Sequence, residues 1–216
     1  MNFFDSIIAF LQNGGPFIFP IALVLVLGLA ITLERWLYLN SALRTNRKAL
    51  ALLQQDLKKG DVNAIMKHAN NNSAPVLDVL QAGIARLSTV KRREDVEYAM
   101  EETIMEYMLR LEKRTPFLAT LANIATLLGL LGTIMGLIAA FSAVANADPA
   151  EKANLLSSSI SVAMNTTAFG LITAIPLILF HTSLMSKTAA IVDSLEMAGI
   201  KLLNSLSFGQ QEENRG

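Results

Sequence analysis

The chain has no cysteine, so disulfides, thiolate metal sites and cysteine nucleophiles are all excluded at once. Charge is scarce as well. Charged residues make up 17% and hydrophobic residues 52%, against about 25% charged for an ordinary globular domain. Formal net charge is zero, which gives no electrostatic reason to expect nucleic acid as a partner. No Lys or Arg precedes Arg35, so the basic start of a secretory signal peptide is missing, and the first apolar run is expected to stay in the protein.

The apolar residues are concentrated in three runs. Phe17 to Leu33 is 17 residues without charge, Thr115 to Ala147 is 33, and Ala153 to Ser186 is 34. A bilayer core of about 30 Å takes about 20 apolar residues as a helix. Each run can therefore span, the first by extending through Glu34 to Leu39. The expected fold is an all-α membrane protein with three long transmembrane helices and cytoplasmic helical extensions. Of 18 Lys and Arg, 13 fall between residues 40 and 114 and only Lys152 lies between the second and third runs. By the positive-inside rule the N-terminus is outside and the C-terminus inside.

The resulting segments are an amphipathic interfacial helix at 1–15, a first span at 16–39 and a cytoplasmic helical segment at 40–114. A second span follows at 115–147, an outer turn at 148–153, a third span at 154–190 and a cytoplasmic C-terminal helix and tail at 191–216. Phe3, Phe4, Ile7, Ile8 and Leu11 share one face of the first segment. Trp36 and Tyr38 suit a membrane interface. Leu43, Leu50, Leu53 and Leu57 form an apolar stripe ended by Gly60, with Asp61 placed to cap the next helix. Residues 70–75 read as a loop. Val96, Met100, Ile104, Met108 and Leu111 form a further stripe leading straight towards the second span. In the outer turn Asp148 can cap, with Pro149 at the first helical position. Pro116 and Pro176 permit kinks.

Small and polar residues form a stripe on each long span. Ala122, Thr126, Gly129, Thr133, Gly136 and Ala140 share one face of the second. Ser159, Ala163, Thr167, Gly170 and Ala174 share one face of the third, with Ser161, Asn165 and Thr166 beside it. Gly129, Gly132, Gly136, Gly170 and Ala174 let helices approach closely in lipid, and hydroxyls can hydrogen-bond across. Two readings remain open, plain helix packing and a hydroxyl-lined ion pathway. Neither run contains Asp, Glu, Lys or Arg, so an ion pathway here needs a charged group from another polypeptide. His181 lies near the cytoplasmic end of the third run, where a water-facing or capping role and an ion-exit role are both open. A hydrolase built on His181 and Ser183 is disfavoured: residues two apart diverge on a helix.

The segment from Phe117 to Leu137 resembles the second-helix signature of the TolQ/ExbB branch of the MotA/TolQ/ExbB family, whose core reads A-x-x-A-P-L-L-G-L-L-G-T-V-x-G, with Thr126 in place of the proline. Thr167 to Pro176 resembles the third-helix pattern, A-T-A-x-G-L-x-x-A-I-P. The resemblance implies a stator subunit of an ion-driven inner-membrane motor, with no enzymatic role, cofactor or metal. It implies a homo-pentamer around a dimer of an ExbD- or TolR-like single-span partner, whose membrane aspartate sits among threonines matching Thr133 and Thr167. A TonB- or TolA-like periplasm-spanning protein would receive the movement. Thr126, Ser161, Asn165 and Thr166 are the further candidate pathway residues, and membrane lipid surrounds the assembly. Proton-using relatives commonly carry a glutamate five residues before the second threonine, where this chain has Val162. With the oxygen-rich patch of Ser161, Asn165, Thr166 and Thr167, that departure leaves H+ and Na+ both open. A Tol-Pal-type envelope-maintenance motor and a purely scaffolding protein are the alternatives to service of TonB-type transport.

Overall fold

The computed structural model describes residues 15–71, 73–89, 92–145 and 147–213, with side chains at 71 and 207–213 excepted. The amphipathic segment expected before residue 15 lies outside the described residues, apart from Gly15 itself. Among the described residues there are six α-helices: α1 Ile18–Lys59, α2 Val62–Asn71, α3 Pro75–Thr89, α4 Arg93–Glu112, α5 Thr115–Ala145 and α6 Lys152–Glu213. Three stretches are long and apolar enough to cross a membrane, in Ile18–Lys59, Arg93–Ala145 and Lys152–Leu206. The chain buries only 33%, 22% and 33% of their most apolar windows. Most of that surface therefore needs cover from lipid or other protein, as expected of an all-α membrane protein.

Several helix ends differ from the sequence expectation. Helix is continuous through residues 39–40 and 190–191, where α1 and α6 run on as 42 and 62 residues. The change from apolar to charged sequence there alters the solvent, while no Gly or Pro interrupts the hydrogen-bond ladder. Pro176 sits inside α6 without ending it. Pro116 is the second residue of α5, where a missing N–H is harmless. Lys113 and Arg114 form a turn between α4 and α5, and Arg114 has φ 66°, unusual for a non-glycine residue. The loop expected at 70–75 is shorter, because α2 takes in Asn70 and Asn71 and Pro75 starts α3. Regular helix begins at Lys152 rather than Pro149, after a turn in which the Asp148 carbonyl accepts from the amides of Glu151 and Lys152.

By internal contacts the chain divides into two units, Met1–Glu34 with Arg114–Thr182, and Arg35–Lys113 with Ser183–Gly216. In the first, Ile18, Ile21 and Phe169 form a buried cluster flanked by Ala22, Leu25 and Leu128. Glu34 accepts from Arg114 at 2.6 Å, with both side chains about half exposed.

In the second unit Leu53, Ile65, Leu77, Leu80, Leu111 and Leu195 are among the fully buried side chains, and Leu57 is buried beside them. Gly60 has φ 67° and ends α1, and Asp61 Oδ1 accepts from the Ala64 amide at 3.0 Å, both as the sequence suggests. Val96, Met100, Ile104 and Leu111 are buried on α4, whereas Met108 is 37% exposed. Asn46 is fully buried and satisfies two neighbours: it donates to Ser194 and accepts from the Val76 amide. Arg35, 3% exposed, donates to the carbonyls of Arg110 and Leu111, placing a cation on the C-terminal carbonyls of α4. Lys187 donates to Asn40 at 2.8 Å and lies 5.2 Å from the centroid of the Trp36 ring. Tyr107 donates to Asp78, and burial followed by that bond raises the phenol well above the ordinary tyrosine range.

Candidate functional site

The two small-residue stripes meet within the first unit, on α5 and α6. A Cβ built on Gly136 would lie 2.7 Å from the Ala163 Cβ, and one on Gly132 2.3 Å from a Thr166 methyl. At Gly129 it would meet the Cα atoms of Gly170 and Thr167, both at 3.3 Å. At Gly170 it would lie 2.7 Å from the Ala125 carbonyl oxygen. Residue numbers fall on α5 as they rise on α6, so the helices are antiparallel with backbone against backbone. At Gly129 and Gly170 the space for a methyl is occupied by main chain, and at Gly132 and Gly136 first by the side chains of Thr166 and Ala163. Ala174 is buried, at 2% exposure.

Hydroxyls line the seam in three different ways. Thr167 donates across it to the Gly129 carbonyl at 2.7 Å. In regular α-helical geometry that carbonyl is also the acceptor for the amide of Thr133, four residues on. The two threonines singled out by sequence thus converge on one carbonyl. Thr133 itself is half-buried and turns its hydroxyl to the Leu130 carbonyl at 2.6 Å. Thr166 is 2% exposed and donates to Val162 at 3.0 Å; Thr126 is exposed and donates to Ala122 at 3.1 Å. These bonds use the donor proton of each hydroxyl, and an oxygen that donates keeps lone pairs with which it can accept. Ser161 is exposed and Asn165 half-buried.

Sequence reasoning passed over Thr173. It is fully buried, and its hydroxyl has no hydrogen-bond partner among the described residues. It lies seven residues after Thr166, on the same helical face, which is the signal that would have found it. Val162 is half-buried, with a methyl 3.1 Å from where a Cβ on Gly15 would be. Val162 is thus a packing position. His181 is half-buried and Ser183 exposed. Among the described residues no group of three or more His, Cys, Asp or Glu could hold a metal ion.

An all-helical chain with three potential spans and a charge-free glycine and hydroxyl seam defines a polytopic membrane protein specialised for close helix contact. The sequence model of the MotA/TolQ/ExbB proton channel family matches residues 71–197. The chain belongs to that family: it is a motor subunit of the inner membrane, crossing it several times, from a family of proton channels rather than a known class of enzymes. It is 27% identical over 199 residues to an ExbB homologue of Methanothermobacter thermautotrophicus, covering 91% of this chain and 69% of the relative. It is 26% identical over 188 residues to the Tol-Pal system protein TolQ of Pseudomonas aeruginosa, covering 80% and 81%. An ExbB-like protein of Synechocystis is 30% identical over 200 residues, covering 88% and 75%.

Proposed function

We propose that this chain is the stator of an ion-driven motor in which the α5–α6 seam receives an acidic side chain from a second, single-span polypeptide. The observation that carries the reading is the absence of Asp, Glu, Lys and Arg from both long runs, beside a seam rich in hydroxyl oxygens. Such a seam can solvate an ion but cannot itself hold a titrating carboxylate. The partner is ExbD- or TolR-like and supplies an aspartate at the level of Thr133 and Thr167. The stator is a homo-oligomer, a pentamer by family analogy, with its N-terminus outside and its C-terminus inside.

Protonation or cation binding neutralises the partner carboxylate, which can then pass the apolar Leu and Ile faces, where a bare charge is costly. Re-ionisation favours the next hydroxyl site. To solvate the ionised carboxylate, the Thr133 hydroxyl must leave the Leu130 carbonyl and donate outward, which its half-exposed position permits. A membrane potential supplies about 2.3 kcal/mol per charge per 100 mV, so a few ions drive one conformational step. A TonB- or TolA-like protein passes the movement to an outer-membrane process, either nutrient transport or envelope maintenance.

The ion is H+ or Na+. Protons agree with the family description, whereas Val162 and the oxygens of Ser161, Asn165, Thr166 and Thr167 favour a hard cation. Thr133→Val and Thr167→Val should abolish motor-dependent activity with assembly intact, and Thr→Ser at either position should retain most of it. Activity unchanged in both valine variants would leave only a packing role. Activity that persists without sodium assigns the proton.

A further inference from the structure

His181 is the one titratable side chain in the two long apolar runs, and the seam between α5 and α6 makes no use of it. Its level in the first unit follows from the pairs around it. Gly136 meets Ala163, Gly132 meets Thr166 and Gly129 meets Gly170. Continued along regular helices, that pairing sets His181 opposite residues 117–118, at the start of α5. On α1, Gly15 meets Val162 and Gly28 meets Leu177, which sets His181 opposite residues 32–34. It thus stands half-buried at the end of the seam away from the 148–153 turn, the cytoplasmic end in the orientation proposed above. Glu34 on α1 and Arg114 ahead of α5, the charged groups of this unit at that level, bond each other at 2.6 Å. The two charges offset one another, so neither fixes the imidazole in one protonation state.

Two buried hydroxyls bracket this position. Thr173, two turns earlier on α6, and Thr115, in the first turn of α5, are both fully buried. Neither hydroxyl has a hydrogen-bond partner among the described residues. Thr126, Thr133, Thr166 and Thr167, by contrast, each donate a bond. A buried hydroxyl without a partner is costly, and valine would fill the same space without that cost. Such a group has a use where water or an ion passes and needs a bond for a short time. Along α6, Thr173 lies about 9 Å beyond Thr167 and about 12 Å before His181, at about 1.5 Å per residue.

We infer that His181 takes up protons leaving the seam and releases them to the cytoplasm, with Thr173 and Thr115 lending hydrogen-bonding positions to the water that carries them. The unprotonated ring nitrogen uses its lone pair to form an N–H bond with the arriving proton. The opposite ring nitrogen then gives its own proton to water at the helix end and keeps the electron pair, so the imidazole is neutral again. Histidine suits this because its charge changes between about pH 5 and 8. The inference rests on the seam reading proposed above and commits its ion to the proton.

The test is proton flux through the complex purified from native membranes by a tag on this chain. The complex is reconstituted in liposomes enclosing a pH-sensitive dye, in sodium-free buffer, and unfolding of each variant is measured in parallel. Wild type conducts protons, and His181→Gln lowers the rate at least about tenfold, the low end for loss of a positioned acid–base group. His181→Ala is as slow, and added imidazole restores its flux, a response that a lost packing contact does not give. Thr173→Val lowers the rate several-fold without loss of stability. At a fixed gradient, the wild-type rate changes across about pH 5 to 8. His181→Gln conducting like wild type while Thr167→Val does not would overturn the inference and leave the seam reading standing. A slow His181→Ala without rescue by imidazole, or a flat wild-type pH profile, would likewise overturn it. Wild-type flux that requires sodium would overturn it by making the ion Na+. Undiminished flux in both Thr133→Val and Thr167→Val would sink the seam reading itself, and this inference with it.

Discussion

Replacing Gly170 by alanine sets helix propensity against helix packing. Propensity favours alanine over glycine in a helix interior by about 0.8–1 kcal/mol. Against that, the new Cβ would lie 2.7 Å from the Ala125 carbonyl oxygen and 3.1 Å from the Gly129 Cα, both main-chain atoms that cannot rotate aside. Ordinary contact begins at 3.4 Å, so α5 and α6 must separate by about 0.7 Å. A gap of that size forfeits about a quarter to a half of the dispersion energy of the facing atoms. Overpacking of this kind typically costs about 1–3 kcal/mol. The shift also stretches the 2.7 Å Thr167–Gly129 bond, of a type that averages about 0.6 kcal/mol between membrane helices. Net destabilisation should be about 1–2 kcal/mol after the propensity gain. Gly199→Ala is the control, because its Cβ meets only Met100 at 3.5 and 3.6 Å. It should be neutral or stabilising by up to about 1 kcal/mol. Reversible unfolding in mixed micelles with SDS, followed by far-UV circular dichroism, reads both. A Gly170→Ala protein as stable as Gly199→Ala would refute the backbone-contact reasoning.

In the same unfolding assay Thr173→Val should be neutral or stabilising by up to about 1 kcal/mol, since it removes a buried hydroxyl without a partner. A loss comparable to Thr167→Val would show that Thr173 has a partner. Arg35→Gln should weaken the C-terminal turn of α4 by about 1–3 kcal/mol, the range for charge-assisted bonds. It should also speed tryptic cleavage at Arg110, Lys113 and Arg114 at least several-fold, whereas unchanged cleavage would place the end of α4 under other control. Arg114→Gly exchanges about 1–2 kcal/mol of left-handed backbone cost for a half-exposed ion pair worth about 0–1 kcal/mol. It should be neutral or stabilising by about 1 kcal/mol, while Arg114→Val should destabilise. The reverse order would contradict the φ argument.

Composition made the spans legible, because long charge-free runs have few other uses. Gly60 and Asp61 were legible because stop and cap chemistry act locally. So were the buried rows through Leu53 and Leu57 and through Val96, Met100 and Ile104, which helical periodicity alone places. A change from apolar to charged sequence alters the solvent without breaking backbone hydrogen bonds, so α1 and α6 run on uninterrupted. The turn at Lys113–Arg114 was hidden because it uses a left-handed arginine where a glycine would have announced it. At the candidate site, the spacing of Gly129, Gly136, Thr167 and Gly170 marked the faces that meet. It could not reveal that Thr167 reaches the carbonyl one turn before Thr133, which depends on the register between helices far apart in sequence. Thr173 escaped because attention to the Thr167 row left the row of Thr166 uncounted.

The central claim is that the hydroxyl seam serves a carboxylate carried by a different polypeptide. Its most direct test is mass spectrometry of the complex purified from native membranes through a tag on this chain. The expected result is a second protein with one membrane span and an aspartate within that span. A complex containing this chain alone, or with companions lacking any carboxylate at membrane depth, would contradict it.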